Sequence, residues 1–173
     1  MKIRTGDRMP DGTLYELAQG APRAVPASTL FTGSRVALFS CPGAFTTKSS
    51  ERQLPGYVAR RDSFRDLGVE AVVCISINDP WVMDAWSRHV DPAGRVRMLA
   101  DPDCSYHRAL GLEMDCLRMT LGWRSHRFAI LAEQSVVVEL NVEAPGAYEV
   151  SDAAVLHRQL QGRQGVVSQD GAA

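Results

Sequence analysis

The tightest constraint on the fold is a pair of almost unbroken apolar runs, Arg35-Val-Ala-Leu-Phe-Ser-Cys41 and Val69-Glu-Ala-Val-Val-Cys-Ile-Ser-Ile77. Neither alternates cleanly between polar and apolar residues, so each reads as a strand covered on both faces rather than one lying on water. Pro42-Gly43 stops the first run and Asn78-Asp79-Pro80 stops the second, which places a loop at the end of each strand. Between them, residues 50–67 carry Leu54, Tyr57, Val58, Phe64 and Leu67 on one side, with Gly68 as a stop. That spacing predicts a helix, and Pro55 inside it predicts a kink. A second helix is expected over Pro80–Val90, with Trp81, Met83 and Trp86 as core or subunit-contact residues. The progression is βαβα.

The flanking segments are weaker. Asp11-Gly12 opens a hairpin-like stretch, followed by a polar loop through Gly20, Pro22 and Pro26 and a short segment over residues 28–31. A third strand is expected over 96–99, a capped helix within 101–110, and a long irregular connection over 111–122. Residues 127–132 and 136–141 read as an antiparallel hairpin about the turn-like Glu133-Gln134-Ser135, and 152–160 as a closing helix. These elements predict an α/β fold of thioredoxin-like type, with a central mixed β-sheet flanked by helices.

Charge and cysteine usage narrow the function. Nineteen Lys and Arg stand against twenty Asp and Glu, interspersed, so no field points to nucleic acid or an anionic membrane. The start lacks a signal-peptide core, and no apolar run reaches the ~20 residues of a spanning helix. A soluble, cytoplasmic protein is the expectation. Cys41, Cys74, Cys104 and Cys116 are scattered without a C-x-x-C pair, which argues against zinc and against a disulfide scaffold. Cys41 and Cys74 read as buried; Cys104 and Cys116 fall in more exposed-looking segments. His89, His107, His126 and His157 show no spacing that suggests a metal site or a Ser-His-Asp arrangement.

The stretch Pro42-Gly-Ala-Phe-Thr-Thr-Lys-Ser49 lies between a buried strand and a helix. It resembles the Pro-x-x-x-Thr-x-x-Cys signature of the peroxiredoxins, with serine where the family has its peroxide-reducing cysteine. The type II (peroxiredoxin-5-like) pattern is further matched by Leu54-Pro55-Gly56-Tyr57, by Val73-Cys-Ile-Ser-Ile-Asn-Asp-Pro80, by Trp86, by Val96-Arg-Met-Leu-Ala-Asp101 and by Arg127-Phe128. The resemblance spans about residues 3–160. It implies that residues 1–162 form a single redoxin (thioredoxin-like) domain, while the polar segment 163–173 reads as a flexible tail.

The resemblance also implies a thiol-specific peroxidase that reduces hydrogen peroxide and organic hydroperoxides, with glutathione/glutaredoxin or thioredoxin as reductant, no cofactor, and a homodimer. It places catalysis at Ser49 (the cysteine position), Thr46, Arg127 and Pro42, and substrate binding at Lys48, Thr46 and Arg127. A thiolate there needs stabilisation, since an ordinary thiol titrates near ~8.5. A helix start and the fixed charge of Arg127 would supply it. Serine cannot enter the sulfenic-acid cycle, so the chain with Ser49 is expected to be inactive. The serine is either an introduced replacement, as the retained Pro42, Thr46 and Arg127 suggest, or a natural loss, as the unusual Thr47, Lys48 and Gln53 suggest. In the second case the alternative is a non-catalytic redoxin-like protein binding an oxyanion or a protein partner.

Overall fold

The first hairpin extends further than the sequence suggests. In the computed structural model, which describes residues 1–170 with side-chain surroundings through residue 163, β1 (Thr13–Ala18) pairs antiparallel with β2 (Ala21–Pro26). Gln19 and Gly20 both have positive φ in the two-residue turn, the geometry that matches the strands' twist. The segment read as a polar loop is therefore an edge strand. Its Pro22 and Pro26 are tolerated because an edge strand need not donate on its open side.

The two apolar runs form β3 (Arg35–Ser40) and β4 (Ala71–Ser76), paired parallel, and β5 (Arg97–Ala100) pairs parallel with β4. The predicted hairpin forms β8 (Phe128–Glu133) and β9 (Val136–Val142), and β8 pairs antiparallel with β3. Its turn puts Gln134 and Ser135 at positive φ. The seven-stranded sheet runs β2-β1-β5-β4-β3-β8-β9, a mixed sheet as expected. The connection over 111–122 is not irregular throughout. β6 (Glu113–Cys116) and β7 (Gly122–Ser125) make a separate antiparallel pair around a short 3₁₀ turn.

Alternation along the strands divides the core in two. Val36 and Leu38 join Val73, Ile75, Phe128 and Ile130 on one face, covered by α1 (Ser28–Phe31) and α5 (Ser105–Leu110). Ala37, Phe39 and Cys41 join Cys74, Ala129 and Leu131 on the other. That second face is covered by α2 (Leu54–Ala59), α3 (Arg61–Asp66), α4 (Pro80–Val90) and α6 (Ala153–Asp170). Asp79 caps α4 by accepting from the Val82 N–H at 2.9 Å, with Pro80 in the first turn. Met83 and Trp86 are buried, whereas Trp81 faces outward. Gly111 closes α5 at φ +65°, and a Cβ there would meet the Lys2 backbone at 2.7 Å, so glycine is required on both counts.

Two helical expectations change. The helix read over 50–67 is three pieces: a π-helical turn at Ser49–Gln53, then α2, then α3, with the break at Arg60 rather than at Pro55. Pro55 has no N–H to return to Glu51, and the turn before it widens so that Leu54 bonds to Ser49 O. The closing helix does not stop near residue 160 but continues to Asp170. Arg163 and residues 164–170, read as tail, are thus helical; residues 171–173 lie outside the described residues.

Candidate active site

The site forms where β3 ends. Ser40 pairs with Ile75 of β4 on one side and Phe128 of β8 on the other. The chain leaving the sheet at Cys41 and Pro42 therefore runs between Ser76 and Arg127. Ser125 and Ser76 donate to the Cys41 carbonyl at 3.0 and 3.3 Å, and the Ala44 N–H donates to Asn78 Oδ1 at 2.8 Å. These bonds hold the 41–48 loop against the ends of two other segments.

Ser49 opens the π-helical turn and is fully buried. Arg127 Nη1 donates to its Oγ at 3.1 Å, and Thr46 Oγ1 lies 2.7 Å from the same oxygen while donating to Gly43 O at 2.9 Å. Thr46, Ser49 and Arg127 are thus in direct contact. Arg127 is only 8% exposed, and burial pulls its guanidinium below its usual pKa range. It also donates to Gln53 Oε1, and its guanidinium carbon lies 5.6 Å from the Tyr148 ring centroid. Gln53, fully buried, donates in turn to Ser40 O at 3.2 Å. Gln53 was noted in the sequence only as a departure from the family, yet it holds the arginine to the strand.

Pro42, Lys48 and Arg127 share a small cleft of about 150 Å³ with Gly146, His126 and Glu143. Lys48 Nζ reaches the Gly146 carbonyl. Glu143 lines the same cleft and its charge acts on Arg127, while one of its oxygens is held by the N–H groups of Glu149 and Ser151 and by the Ser151 hydroxyl at 2.7–2.8 Å. The cleft is therefore suited to a small ligand with electron-rich oxygen atoms.

Two groups of residues read as bystanders are part of the surroundings. Asp101 accepts from His107 Nδ1 at 2.6 Å, His107 Nε2 meets Ser40 Oγ at 2.8 Å, and Ser40 Oγ meets Ser125 Oγ at 2.7 Å. This Asp-His-Ser chain is fully buried on the face opposite Ser49. No spacing in the sequence points to it, since 67 positions separate Ser40 from His107 and only the sheet brings them together. Cys104 and Cys116, expected in exposed segments, are buried. Burial, with Asp101 nearby, pushes the Cys104 thiol up to about 11.

The Cys41 thiol faces the site. Cys74, Ser76, Arg127 and Ser49 all act on its acidity. The Cys74 thiol first, then Ser76, Arg127 and Ser49, hold it down to about 7 against burial, whereas burial pushes Cys74 well up. The chemistry open to the site follows from these donors. An anion at position 49 would receive a charge-assisted bond from Arg127, and a thiol there would be acidified. A serine hydroxyl in the same place has no access to sulfur redox chemistry.

Residues 4–156 match the Redoxin family. Peroxiredoxin-2E, chloroplastic, of Arabidopsis thaliana is 40% identical over 163 residues, covering 91% of this chain and 69% of that protein. Peroxiredoxin-2C of the same organism is 36% identical over 159 residues, covering 91% and 98%. The crystal structure of reduced Prx3 in complex with H2O2 from Vibrio vulnificus superposes with a TM-score of 0.87 at 42% identity, covering 91% of this chain and 99% of that one. Peroxiredoxin 5 from Alvinella pompejana gives 0.83 at 33% identity, covering 92% and 98%. A redoxin match over most of the length, on a mixed sheet flanked by helices, thus assigns the chain to the peroxiredoxins, the thiol peroxidases of the redoxin family.

Proposed function

We propose that this chain is a type II (peroxiredoxin-5-like) peroxiredoxin whose pocket binds hydrogen peroxide or an organic hydroperoxide, with the family's reaction switched off at position 49 by serine. The observation that carries this reading is the convergence of two polar side chains on Ser49 Oγ, with Arg127 donating at 3.1 Å and the Thr46 hydroxyl in contact at 2.7 Å. A guanidinium so placed stabilises a thiolate at position 49 and then the charge on the distal peroxide oxygen as the S–O bond forms and the O–O bond breaks. Pro42 and Lys48 border the cleft through which a small hydroperoxide would approach. A glutathione/glutaredoxin pair or thioredoxin is the proposed reductant of the cysteine form.

A homodimer forms part of the proposal. Phe45, Trp81, Leu121 and Trp123 are exposed large apolar residues, and Leu121 and Trp123 line one cleft with Asn78 and Asp79, next to the loop that carries the site. Burying such residues is the usual drive for association. A second reading, that the chain binds an oxyanion without catalysis, is favoured by Lys48 and Arg127 bordering a cleft whose only carboxylate, Glu143, is engaged by backbone donors.

The test is peroxide consumption by the Ser49→Cys protein beside the unchanged chain, with glutathione plus glutaredoxin and, separately, with thioredoxin. Rapid turnover by the cysteine form with either reductant supports the peroxidase site. No turnover with any reductant overturns it in favour of oxyanion binding.

A further inference from the structure

We propose that Tyr148 is a positioning residue for the pocket's arginine: its ring, carried on the strap of residues 143–151, lies against the Arg127 guanidinium and keeps it out of water and aimed at position 49. For its part in catalysis the inference rests on the peroxidase reading of the pocket, in which that arginine would hold a thiolate.

The hydrogen bonds of Arg127 to Ser49 Oγ and to Gln53 Oε1 both come from Nη1. They pin one end of the guanidinium and leave its plane to be set by packing. The Tyr148 ring supplies that packing, with its centroid 5.6 Å from the guanidinium carbon. The separation is inside the ~6 Å over which the negative face of an aromatic ring attracts a cation. Tyr148 is 6% exposed and Arg127 8%, so the contact is made away from water, where the attraction is stronger. Burial, with Asp152 nearby, pushes the Tyr148 hydroxyl up, so the residue meets the cation as a neutral ring and not as a phenolate.

The strap is built around the arginine it covers. It starts at the arginine's own backbone, where the Glu143 N–H donates to Arg127 O at 2.9 Å. It turns at Gly146, with φ +76° and the Ala147 N–H donating to Ala144 O at 3.0 Å. The Glu143 carboxylate then closes it by accepting from the Glu149 and Ser151 N–H groups just past the tyrosine. Tyr57 of α2 donates to Ser151 O at 2.9 Å, and Lys48 of the site loop donates to Gly146 O. Arg52, on the same π-helical turn as Ser49, also lies over the Tyr148 ring, at 4.9 Å. One ring thus ties the strap both to the buried arginine and to the turn that carries position 49.

The consequence falls on position 49 through Arg127. With the ring gone, water reaches the face of the guanidinium and screens its field, and the one-ended anchorage lets it swing. A thiol at position 49 is then less acidified. Glu143, Lys48 and His126 share the cleft with Arg127, and Arg52 stands across the ring, so the readout must follow the thiol itself rather than overall charge.

The test is an ultraviolet titration of thiolate absorbance in Ser49→Cys, read as the difference from the matching chain with serine and repeated with Tyr148→Leu and with Tyr148→Phe. The thiol in Ser49→Cys should titrate below the ~8.5 of an ordinary thiol. Tyr148→Leu should raise that midpoint by roughly half a unit to one unit, and Tyr148→Phe, which keeps the ring face, should leave it in place. In the presence of Arg127→Met, Tyr148→Leu should add no further rise. An unmoved midpoint in folded Tyr148→Leu overturns the proposal, because a ring that only fills space would lower the melting temperature alone. An equal rise in the presence of Arg127→Met overturns it too. If circular dichroism shows Tyr148→Leu unfolded, Tyr148→pentafluorophenylalanine keeps the ring's shape without its negative face: a raised midpoint supports the proposal and an unmoved one overturns it. Peroxide consumption by Ser49→Cys, measured alongside, separates the two readings. Turnover with a midpoint indifferent to Tyr148 sinks this inference alone, and a midpoint that follows Tyr148 without turnover sinks the peroxidase reading alone.

Discussion

Replacing Gln53 by leucine should lower stability by about 3 kcal/mol. Gln53 is fully buried and makes two bonds, accepting from Arg127 Nη1 and donating to Ser40 O at 3.2 Å. Leucine has nearly the same volume, so little cavity forms, but it leaves a guanidinium donor and a strand carbonyl unpaired. A bond to a charged group contributes about 1.5–3 kcal/mol and a neutral one about 1 kcal/mol. For a chain of this size, about 2–4 °C per kcal/mol then gives a fall in Tm of about 6–12 °C. The assay is reversible thermal unfolding followed by far-UV circular dichroism. Gln53→Glu keeps the acceptor for Arg127 and loses only the donor to Ser40, so it should recover most of the loss. The double variant with Arg127→Met should lose less than the sum of the two single changes, because both remove one interaction. A Gln53→Leu protein melting within about 2 °C of the parent would refute the claim that this glutamine anchors the arginine.

Three further outcomes follow from the same structure. Burial raises the Asp101 pKa, but hydrogen bonds and charge from His107, with the Tyr106 and His107 N–H groups, outweigh it and leave the folded value lowered. A lowered folded pKa stabilises above the unfolded value of about 3.9 and is lost as pH falls through the folded one; denaturant titrations should therefore show stability dropping below about pH 4, with a flatter profile in Asp101→Asn, and an unchanged profile would count against the assignment. Trp86→Phe removes the Nε1 bond to Ser50 Oγ at 2.9 Å and part of a fully buried ring, and should cost about 2 kcal/mol in denaturant unfolding. Leu121→Glu places a charge among the exposed apolar residues beside the site loop and should turn the proposed dimer into a monomer in sedimentation velocity; a parent that sediments as a monomer counts against that proposal.

The sequence made legible those parts whose chemistry is local. β3 and β4 are legible because both their faces are buried, so hydrophobicity is continuous and stop signals mark the ends. α4 is legible to the residue because Asp79 caps it and Pro80 starts it. β2 was hidden because an edge strand tolerates the very prolines that otherwise signal a loop. The β6–β7 pair was hidden because Glu113-Met-Asp-Cys116 is too short and polar to carry a period. The π-helical turn follows from Pro55, but the missing N–H fixes only that a bond is lost, not on which side the backbone adjusts. Thr46, Ser49 and Lys48 were found by a motif eight residues long, and Arg127 by resemblance alone. Gln53 at the arginine and His107 on Ser40 depend on sheet register and on which face each side chain takes, and no window of sequence contains both partners.

The buried arginine gives the strongest physical reason to regard the pocket as maintained. Placing a guanidinium at 8% exposure among neutral acceptors carries a desolvation penalty of several kcal/mol that neutral hydrogen bonds only partly offset. Arg127→Met with repacking around Tyr148 would be the easier route to stability. The Glu143 carboxylate in the same cleft offsets part of this cost, and an anion met during function would offset more. Ser49 is neutral and does not provide that anion. Either a bound ligand brings it into the cleft beside Lys48, or the Cys41 thiolate supplies it from within, and the two differ in a measurable way. With a ligand as the source, an added oxyanion should raise the melting temperature in proportion to its occupancy. With Cys41 as the source, Cys41→Val should destabilise the chain more at pH 8 than at pH 6, because a thiolate paired with Arg127 contributes only once it is ionised.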